Sequence, residues 1–242
     1  MQLVWLGHAT VYLKNCNGTR VLVDAWVDTN PACDAALAQL VRTWGVDVIV
    51  LTHGHSDHCA DVAALQHDTG AIVCCQYDAQ EWLTYQNIPA SAIRAFNKGG
   101  TVTHNDLRIT MTAAQHSNSW PTAAGARTLG NEVGYVLRSH GDATVYAAGD
   151  TTVMADMAII ADLYQPQVAL LPIGDKYTMG PYEAAYAAKL IQPQAVLPIH
   201  YATFPDLSGT PDLLRTELTL RGVAVQVLAP AVGEWITWSA NS

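Results

Sequence analysis

The chain has 242 residues, of which 50% are hydrophobic and 14% are charged, and its net charge is −9. This length and apolar content are enough for one sizeable core, so we expect a single domain over residues 1–242. The lack of any basic block argues against general nucleic-acid binding, and no apolar run reaches the ~18 residues that span a bilayer.

The start of the chain and its cysteines bear on its location in the cell. Met1 is followed by neither a basic segment nor a small-residue cleavage site of the kind found in signal peptides. The five cysteines are an odd number without zinc-finger spacing. We therefore expect reduced thiols in a cytoplasmic protein without membrane attachment.

Short strands open the chain, and strands alternate with helices after them. Strands are predicted at residues 3–6, 11–14, 20–24, 46–51, 71–75, 102–113 (a hairpin turning at Asn105-Asp106), 132–138, 144–148, 168–172, 195–199, 223–228 and 234–238. Helices are predicted from an Asn30 cap to about Trp44, and at residues 60–66, 180–191 and 211–221. Both halves mix the two kinds of element without a linker. This pattern predicts an α/β fold of two sheets with helices outside them.

A dense group of metal-ligand residues directly follows one predicted buried strand. The segment contains three imidazoles and one carboxylate, in the order Thr52-His53-Gly54-His55-Ser56-Asp57-His58. Ligands bind outside the carboxyl ends of such strands, and histidine and carboxylate side chains are common ligands of divalent cations. In an extended segment, His53, His55 and Asp57 point one way and His58 another, so one loop can serve two ions. A polar loop with surface histidines is the alternative, and the density of ligands disfavours it.

Three further potential ligands each follow an apolar run elsewhere in the chain. They are His116, Asp150 and His200. Any one of them alone is more often a capped turn than a ligand. Because four such loops occur, we expect them to converge on one edge of the sandwich and to form a metal site.

The pattern H-x-H-x-D-H, followed by separate His, Asp and His residues, resembles the metallo-β-lactamase superfamily. That family has an αββα sandwich with one or two metals at its edge. Other segments resemble the compact UPF0173-type metal-dependent hydrolases, which are related to the ascorbate-6-phosphate lactonases. These segments include Trp5-Leu6-Gly7-His8-Ala9, Gln115-His116-Ser117, Ala148-Gly149-Asp150-Thr151 and His200-Tyr201-Ala202-Thr203-Phe204-Pro205.

The resemblance implies seven metal ligands in two groups. One ion would be held by His53, His55 and His116, the other by Asp57, His58 and His200, with Asp150 bridging both. An anionic bridge offsets the repulsion between two dications about 4 Å apart, and the ions lower the pKa of a bound water toward ~7. Asp57 and Asp150 therefore count as catalytic residues too. A donor set without thiolate suits zinc, manganese, iron or nickel alike, and of these we expect two zinc or manganese ions.

The sequence departs from several branches of the superfamily. The second ligand position is His55, where the oxygen-reducing flavodiiron proteins have a glutamate. Cys59-Ala60 stands where glyoxalase II-like thioesterases usually have two glycines. The long insertion of the RNA-processing nucleases is also missing. These differences favour a specialised small-molecule hydrolase.

Four residues outside the ligand set are candidates for supporting roles. His8 resembles a position near the metals of the lactonase-like relatives, where it would bind substrate or transfer a proton; a structural imidazole bonded to a carboxylate is the alternative. Asp24 is expected to support a ligand histidine, with a cap of the N-terminal loop as the alternative. Lys176 and Tyr177 lie in a glycine-flanked loop and are candidates for substrate binding, with ordinary surface positions as the alternative.

The favoured function is a dinuclear metal-dependent hydrolase that uses a metal-bound hydroxide on a small ester or lactone. A metal-dependent phosphodiesterase or nuclease is the second hypothesis, although the acidic composition disfavours it. A metal-binding module without turnover is the third. A small-molecule substrate is the expected partner, and a homo-oligomer stays open.

Overall fold

The structure, a computed structural model, describes residues 1–239. Its strands are β1 (Gln2–Trp5), β2 (Val11–Lys14), β3 (Arg20–Val23), β4 (Val48–Val50), β5 (Ile72–Gln76), β6 (Ile93–Phe96), β7 (Thr101–His104), β8 (Leu107–Ala113), β9 (Ser119–Thr122), β10 (Gly125–Thr128), β11 (Val133–Arg138), β12 (Val145–Ala147), β13 (Val168–Pro172), β14 (Ala195–Ile199), β15 (Gln226–Val227) and β16 (Trp235–Thr237). Its α-helices are α1 (Ala35–Trp44), α2 (Ser56–Cys59), α3 (Val62–Thr69), α4 (Gln80–Tyr85), α5 (Asp156–Tyr164), α6 (Pro181–Ile191) and α7 (Pro211–Leu220). Two short 3₁₀ helices cover Tyr77–Ala79 and Ala90–Ala92.

Two mixed sheets of seven strands each form the centre of the fold, and β9 and β10 form a separate hairpin. The first sheet has the order β16-β1-β2-β3-β4-β5-β6, with parallel pairing from β3 to β6. The second has the order β15-β14-β13-β12-β11-β8-β7, with parallel pairing from β12 to β15. The predicted αββα sandwich is confirmed.

The central strands β3, β4 and β5 of the first sheet are buried on both faces, which explains their largely apolar sequence. Along β4, Val48 and Val50 pack into the core between the two sheets, while Ile49 packs under the helices of the first sheet. Successive side chains of a strand point to opposite faces, so both layers draw on the same short run. The core between the sheets continues to α5, α6 and α7, and the second core lies against α1, α3 and α4.

The strand directions bring the predicted ligand loops to one edge of the sandwich. In the second sheet, β8 and β12 are both antiparallel to β11, so they run the same way, and β14 runs parallel to β12 through β13. The segments after β8, β12 and β14 carry His116, Asp150 and His200 respectively. The loop after β4 of the first sheet carries His53, and it meets the second sheet where the Val133 N–H donates to the Thr52 carbonyl.

Two helix boundaries differ from the prediction because side chains act in tertiary contacts. Helix α1 begins at Ala35 with Asp34 as its cap, whereas Asn30 uses its amide to donate to the carbonyls of Gly7 and Trp26. The helix predicted at residues 60–66 is instead α2 and α3. They are separated at Asp61, whose carboxylate accepts backbone N–H groups of the preceding loop.

Within residues 1–239, no helix is both long and apolar enough to cross a bilayer. The five cysteines are free thiols, of which only Cys16 is exposed.

Candidate metal centre

The loop after β4 holds its histidines in place through a tight approach to the neighbouring segment. The Gly54 N–H donates to Asn118 Oδ1 at 2.8 Å, and a Cβ at position 54 would lie 2.4 Å from Leu129 Cδ1. A side chain at position 54 would therefore have to push the Leu129 side chain aside. Helix α2 begins at Ser56 directly after His55, so the loop turns between the second and third ligand candidates.

The structure brings all seven predicted ligands into overlapping groups. Within each group, one potential ligand atom per residue lies within 4.8 Å of the others, and the groups are His53, His55 and His116; His53, His58 and Asp150; and His8, Asp57, His58 and His200. The first matches the first predicted ion site. The third contains the second predicted site together with His8.

Asp150 lies between the groups, where the bridging ligand was predicted. Its Oδ2 atom is 3.1 Å from Nε2 of His200 and 3.3 Å from Nε2 of His58. The same oxygen is 3.7 Å from Nε2 of His116 and 4.0 Å from Nε2 of His53. Four imidazoles from three loops thus face one buried carboxylate.

The unpaired atoms of this cluster fit divalent metal ions. Asp150 Oδ1 is buried and has no hydrogen-bond partner in the described structure, and the buried His58 Nε2 makes an ion-pair contact with Asp150 Oδ2 at 3.3 Å but no hydrogen bond of good geometry. Burial of a polar atom without a hydrogen-bond partner lowers the stability of the fold, because the atom loses its hydrogen bonds to water and gains none in the protein. The atoms that converge are imidazole nitrogens and carboxylate oxygens without thiolate, a donor set that suits zinc, manganese, iron or nickel.

The protonation states of most of these residues favour cation binding. Burial lowers the pKa of His53, and it also lowers the pKa values of His55 and His116, so these rings keep a free lone pair at neutral pH. Burial alone would raise the pKa of Asp150, but the facing His58 and His200 hold it well below its ordinary value. The carboxylate is therefore ionised.

His58 differs from the other histidines. Burial alone would lower its pKa, but Asp150 and Asp24 on its two sides raise the pKa well above the ordinary value. In the metal-free protein this ring is therefore protonated. A metal ligand must lose that proton, so an ion bound by His58 would displace a proton to solvent.

Asp24 supports two ligand histidines at once. Its Oδ2 accepts from His58 Nδ1 at 2.7 Å, and its Oδ1 accepts from the Thr52 N–H at 2.8 Å. The Thr52 hydroxyl donates to the same carboxylate and lies 3.1 Å from His53 Nδ1. These bonds direct the Nε2 atoms of both rings toward Asp150. Such partners orient a ligand histidine and typically raise its affinity for metal.

His8 is fully buried within the third group, beside Asp57, His58 and His200. Its Nε2 lies 3.0 Å from Asp57 Oδ2, and its Nδ1 lies 3.0 Å from Thr203 Oγ1. Burial lowers the pKa of His8 to about 4, so the ring is neutral at pH 7. The structure therefore shows a carboxylate-bonded imidazole, and contact of His8 with substrate stays a prediction.

Lys176 and Tyr177 are exposed on the loop between β13 and α6. The Lys176 ammonium pairs with Asp206, and it lies 5.1 Å from the centre of the Tyr177 ring. This loop joins the His200 segment closely, since a Cβ on Gly174 would lie 2.1 Å from the His200 carbonyl oxygen. Substrate binding by these two residues stays a prediction.

Three supporting residues were not singled out from the sequence. Thr52 directly precedes His53, and its position before the first ligand is the one local signal for its role. Asn118 donates to the Leu129 and Asn131 carbonyls while it accepts from the histidine loop, and Thr203 contacts His8. No local pattern marks the last two, because their partners are distant in the chain.

Comparisons with known proteins agree with this geometry. A family model described as "Beta-lactamase superfamily domain" matches residues 19–201. A UPF0173 metal-dependent hydrolase of Roseiflexus sp. (strain RS-1) is 47% identical over 96% of this chain and 96% of its own. Another, of Chloroflexus aurantiacus, is 46% identical over 96% of this chain and 95% of its own.

Among solved structures, Igni18, a metallo hydrolase from the archaeon Ignicoccus hospitalis, superposes with a TM-score of 0.87. It shares 31% identity over 99% of both chains. Sequence and structure therefore give the same family relationship. The chain belongs to the beta-lactamase superfamily and, within it, to the UPF0173 metal-dependent hydrolases.

Proposed function

We propose that the protein is a dinuclear hydrolase of a small, uncharged carbonyl compound, an ester or a lactone, with zinc or manganese as its metal. The observation that carries this proposal is the position of Asp150, whose Oδ2 faces imidazoles of both ligand groups. Two ions that share one carboxylate form an arrangement suited to hydrolysis, because both the attacking water and the substrate oxygen need positive charge nearby.

The metal ions supply Lewis acidity, which polarises a carbonyl and activates water. The protein residues bind and position these ions. His53, His55 and His116 would hold one ion and Asp57, His58 and His200 the other, with Asp150 between the two sets of ligands. Asp57 has a side chain that is 27% exposed, compared with 2% for Asp150. Asp57 is therefore the carboxylate that can also accept a hydrogen bond from an incoming water molecule.

The surroundings of the site favour an uncharged substrate. The Lys176 charge is balanced by Asp206, so this loop does not offer an isolated cation to a phosphate group. Phe204 is 40% exposed, and its ring centre lies 5.6 Å from that of His8 and 6.0 Å from that of Trp26. An exposed aromatic ring this close to the ligands offers an apolar surface to a substrate.

Turnover of matched substrates tests the proposal. Wild type loaded with zinc or manganese should hydrolyse members of a panel of lactones and aryl esters, and Asp150→Asn should abolish this activity. Asp156→Asn, at an exposed carboxylate in the first turn of α5, is the control and should keep it.

An aryl phosphodiester in the same assay separates the second hypothesis. Phosphodiester turnover that depends on Asp150 and falls strongly in Lys176→Gln would replace the carbonyl substrate with a phosphate ester. Wild type that binds two ions but hydrolyses no substrate of either class would contradict the enzymatic proposal and favour a metal-binding module.

A further inference from the structure

The segment after β14 contacts the loop that carries His8. We propose, on the basis of the metal site proposed above, that the Thr203 hydroxyl keeps the proton of His8 on Nε2, and that His8 thereby holds Asp57 in its metal-binding orientation. His8 is then a positioning residue, and Thr203 acts through it.

The hydrogen-bond chain has one consistent direction. A carboxylate only accepts, so the contact of 3.0 Å between His8 Nε2 and Asp57 Oδ2 requires an N–H on Nε2. In the ring form with a single proton, Nδ1 then carries the lone pair, and the Thr203 hydroxyl at 3.0 Å from Nδ1 is placed to donate to it.

The hydroxyl has one competing acceptor, the Tyr201 carbonyl oxygen at 3.2 Å. If Thr203 donated there, its oxygen would accept from Nδ1–H, and the lone pair of Nε2 would face the Asp57 carboxylate. That contact is repulsive. The shorter contact to Nδ1 and the carboxylate on the other side of the ring both favour the first direction.

The ring and backbone of His8 are held from several sides. The ring packs edge-on against Trp26 at 5.1 Å between centres and lies 4.1 Å from the His200 ring. The His8 carbonyl accepts from Trp5 Nε1 and from the His200 N–H, each at 2.8 Å. His8 thus contacts Asp57 with its ring and His200 with its carbonyl, and these two ligands come from different loops.

The backbone conformation at His8 has a cost that this double contact explains. Its φ is +53°, in the left-handed region that non-glycine residues rarely adopt. Such conformations persist only where surrounding contacts impose them, and they cluster at functional sites. A glycine at position 8 would adopt this positive φ without strain, but it would have no imidazole ring. The presence of histidine in a conformation that favours glycine therefore indicates that the ring has a role at the site.

The inference predicts an effect on one metal position only. In the described residues, the His8 ring forms its hydrogen bonds with Asp57 and Thr203, whereas His53, His55 and His116 form a separate ligand group. Loss of His8 or of the Thr203 hydroxyl should weaken the ion held by Asp57, His58 and His200. The other ion should bind as in wild type.

Two measurements test the inference on the full chain. The first is the ¹⁵N NMR signature of the His8 ring in the metal-free and zinc-loaded protein, which reports which nitrogen carries the proton; Nε2 is expected. The second is zinc affinity by competition with a chelator for wild type, Thr203→Val, Thr203→Ser and His8→Phe. Circular dichroism checks that each variant is folded.

We expect two zinc ions in wild type, a second ion weakened by about tenfold in Thr203→Val and by about 10–100-fold in His8→Phe, and recovery in Thr203→Ser. Protonation of His8 on Nδ1, or a Thr203→Val variant that binds both ions like wild type, would overturn the inference. Wild type that holds fewer than two ions would instead refute the dinuclear function, and the position of the His8 proton would still test the inference by itself.

Discussion

The sharpest test of the metal centre is Asp24→Asn, which replaces one oxygen by an amide and keeps the shape of the side chain. Asp24 Oδ1 accepts from the Thr52 N–H at 2.8 Å, and Oδ2 accepts from His58 Nδ1 at 2.7 Å. The backbone N–H cannot become an acceptor, so the asparagine oxygen must face Thr52. The amide nitrogen then faces His58 Nδ1 and donates to it.

Asp24→Asn moves the proton of the neutral His58 ring from Nδ1 to Nε2. With Nδ1 as an acceptor, the neutral ring of His58 carries its proton on Nε2, the atom that lies 3.3 Å from Asp150 Oδ2. A metal ion must displace that proton and break the new bond to the amide. One hydrogen bond to a charged or metal-bound group is worth about 1.5–3 kcal/mol, which corresponds to about 10–150-fold in metal affinity.

The assay is a zinc titration of the chelated protein, followed by competition with a chelator and by urea unfolding of the metal-free form. Asp61→Asn is the matched control. Asp61 is also a buried carboxylate that accepts backbone N–H groups, from Val27 at 2.7 Å and Thr29 at 3.2 Å, but it has no histidine partner among its hydrogen bonds. Both variants should lose some stability, and only Asp24→Asn should lose zinc affinity.

Two results would refute this reasoning. A folded Asp24→Asn protein that binds both ions with wild-type affinity would show that the proton on His58 does not depend on Asp24. Equal losses of zinc affinity in Asp24→Asn and Asp61→Asn would show that general loosening of the fold, rather than the proton position, weakens the site.

Three further predictions address the pH response, the packing and the substrate surface. Burial lowers the pKa of His8 from 6.5 to about 4, so the unfolded chain takes up this proton first. The free energy of unfolding of the metal-free protein should therefore fall by about 3 kcal/mol as the pH falls from about 6.5 to about 4. Urea unfolding should show a smaller fall with pH for His8→Gln. An equal dependence of stability on pH in both proteins would contradict the lowered pKa of His8. Gly209→Ala should cost about 1–3 kcal/mol, because its Cβ would lie 1.6 Å from the Ile173 carbonyl oxygen, and an unchanged Tm would contradict this close approach. Phe204→Ala should raise KM for aryl esters by about tenfold with little change in kcat, whereas Phe204→Leu should recover part of the loss; an unchanged KM would exclude contact between this ring and the substrate.

The strand pattern was predictable where strands are buried on both faces. Strands β13 and β14 have the predicted bounds, 168–172 and 195–199, because a continuous apolar run between turn residues has few other interpretations. Strand β6 and the hairpin of β9 and β10 were not predicted, and neither were helices α4 and α5. Residues of β10 are exposed along its whole length, so no apolar periodicity marks them.

The sequence by itself determined the family, the sandwich and the identity of the seven ligand candidates, since these depend on residue types and on local spacing after strands. The tertiary structure decided how the candidates are supported. Asp24 meets His58, and His8 meets both Asp57 and Thr203, although the partners are 34, 49 and 195 positions apart. Sequence patterns report which face of a strand a residue occupies. They do not report which side chain of another loop lies opposite, because that depends on how the two sheets pack and on backbone conformations, such as the positive φ of His8 and Asp24, that only the assembled site imposes.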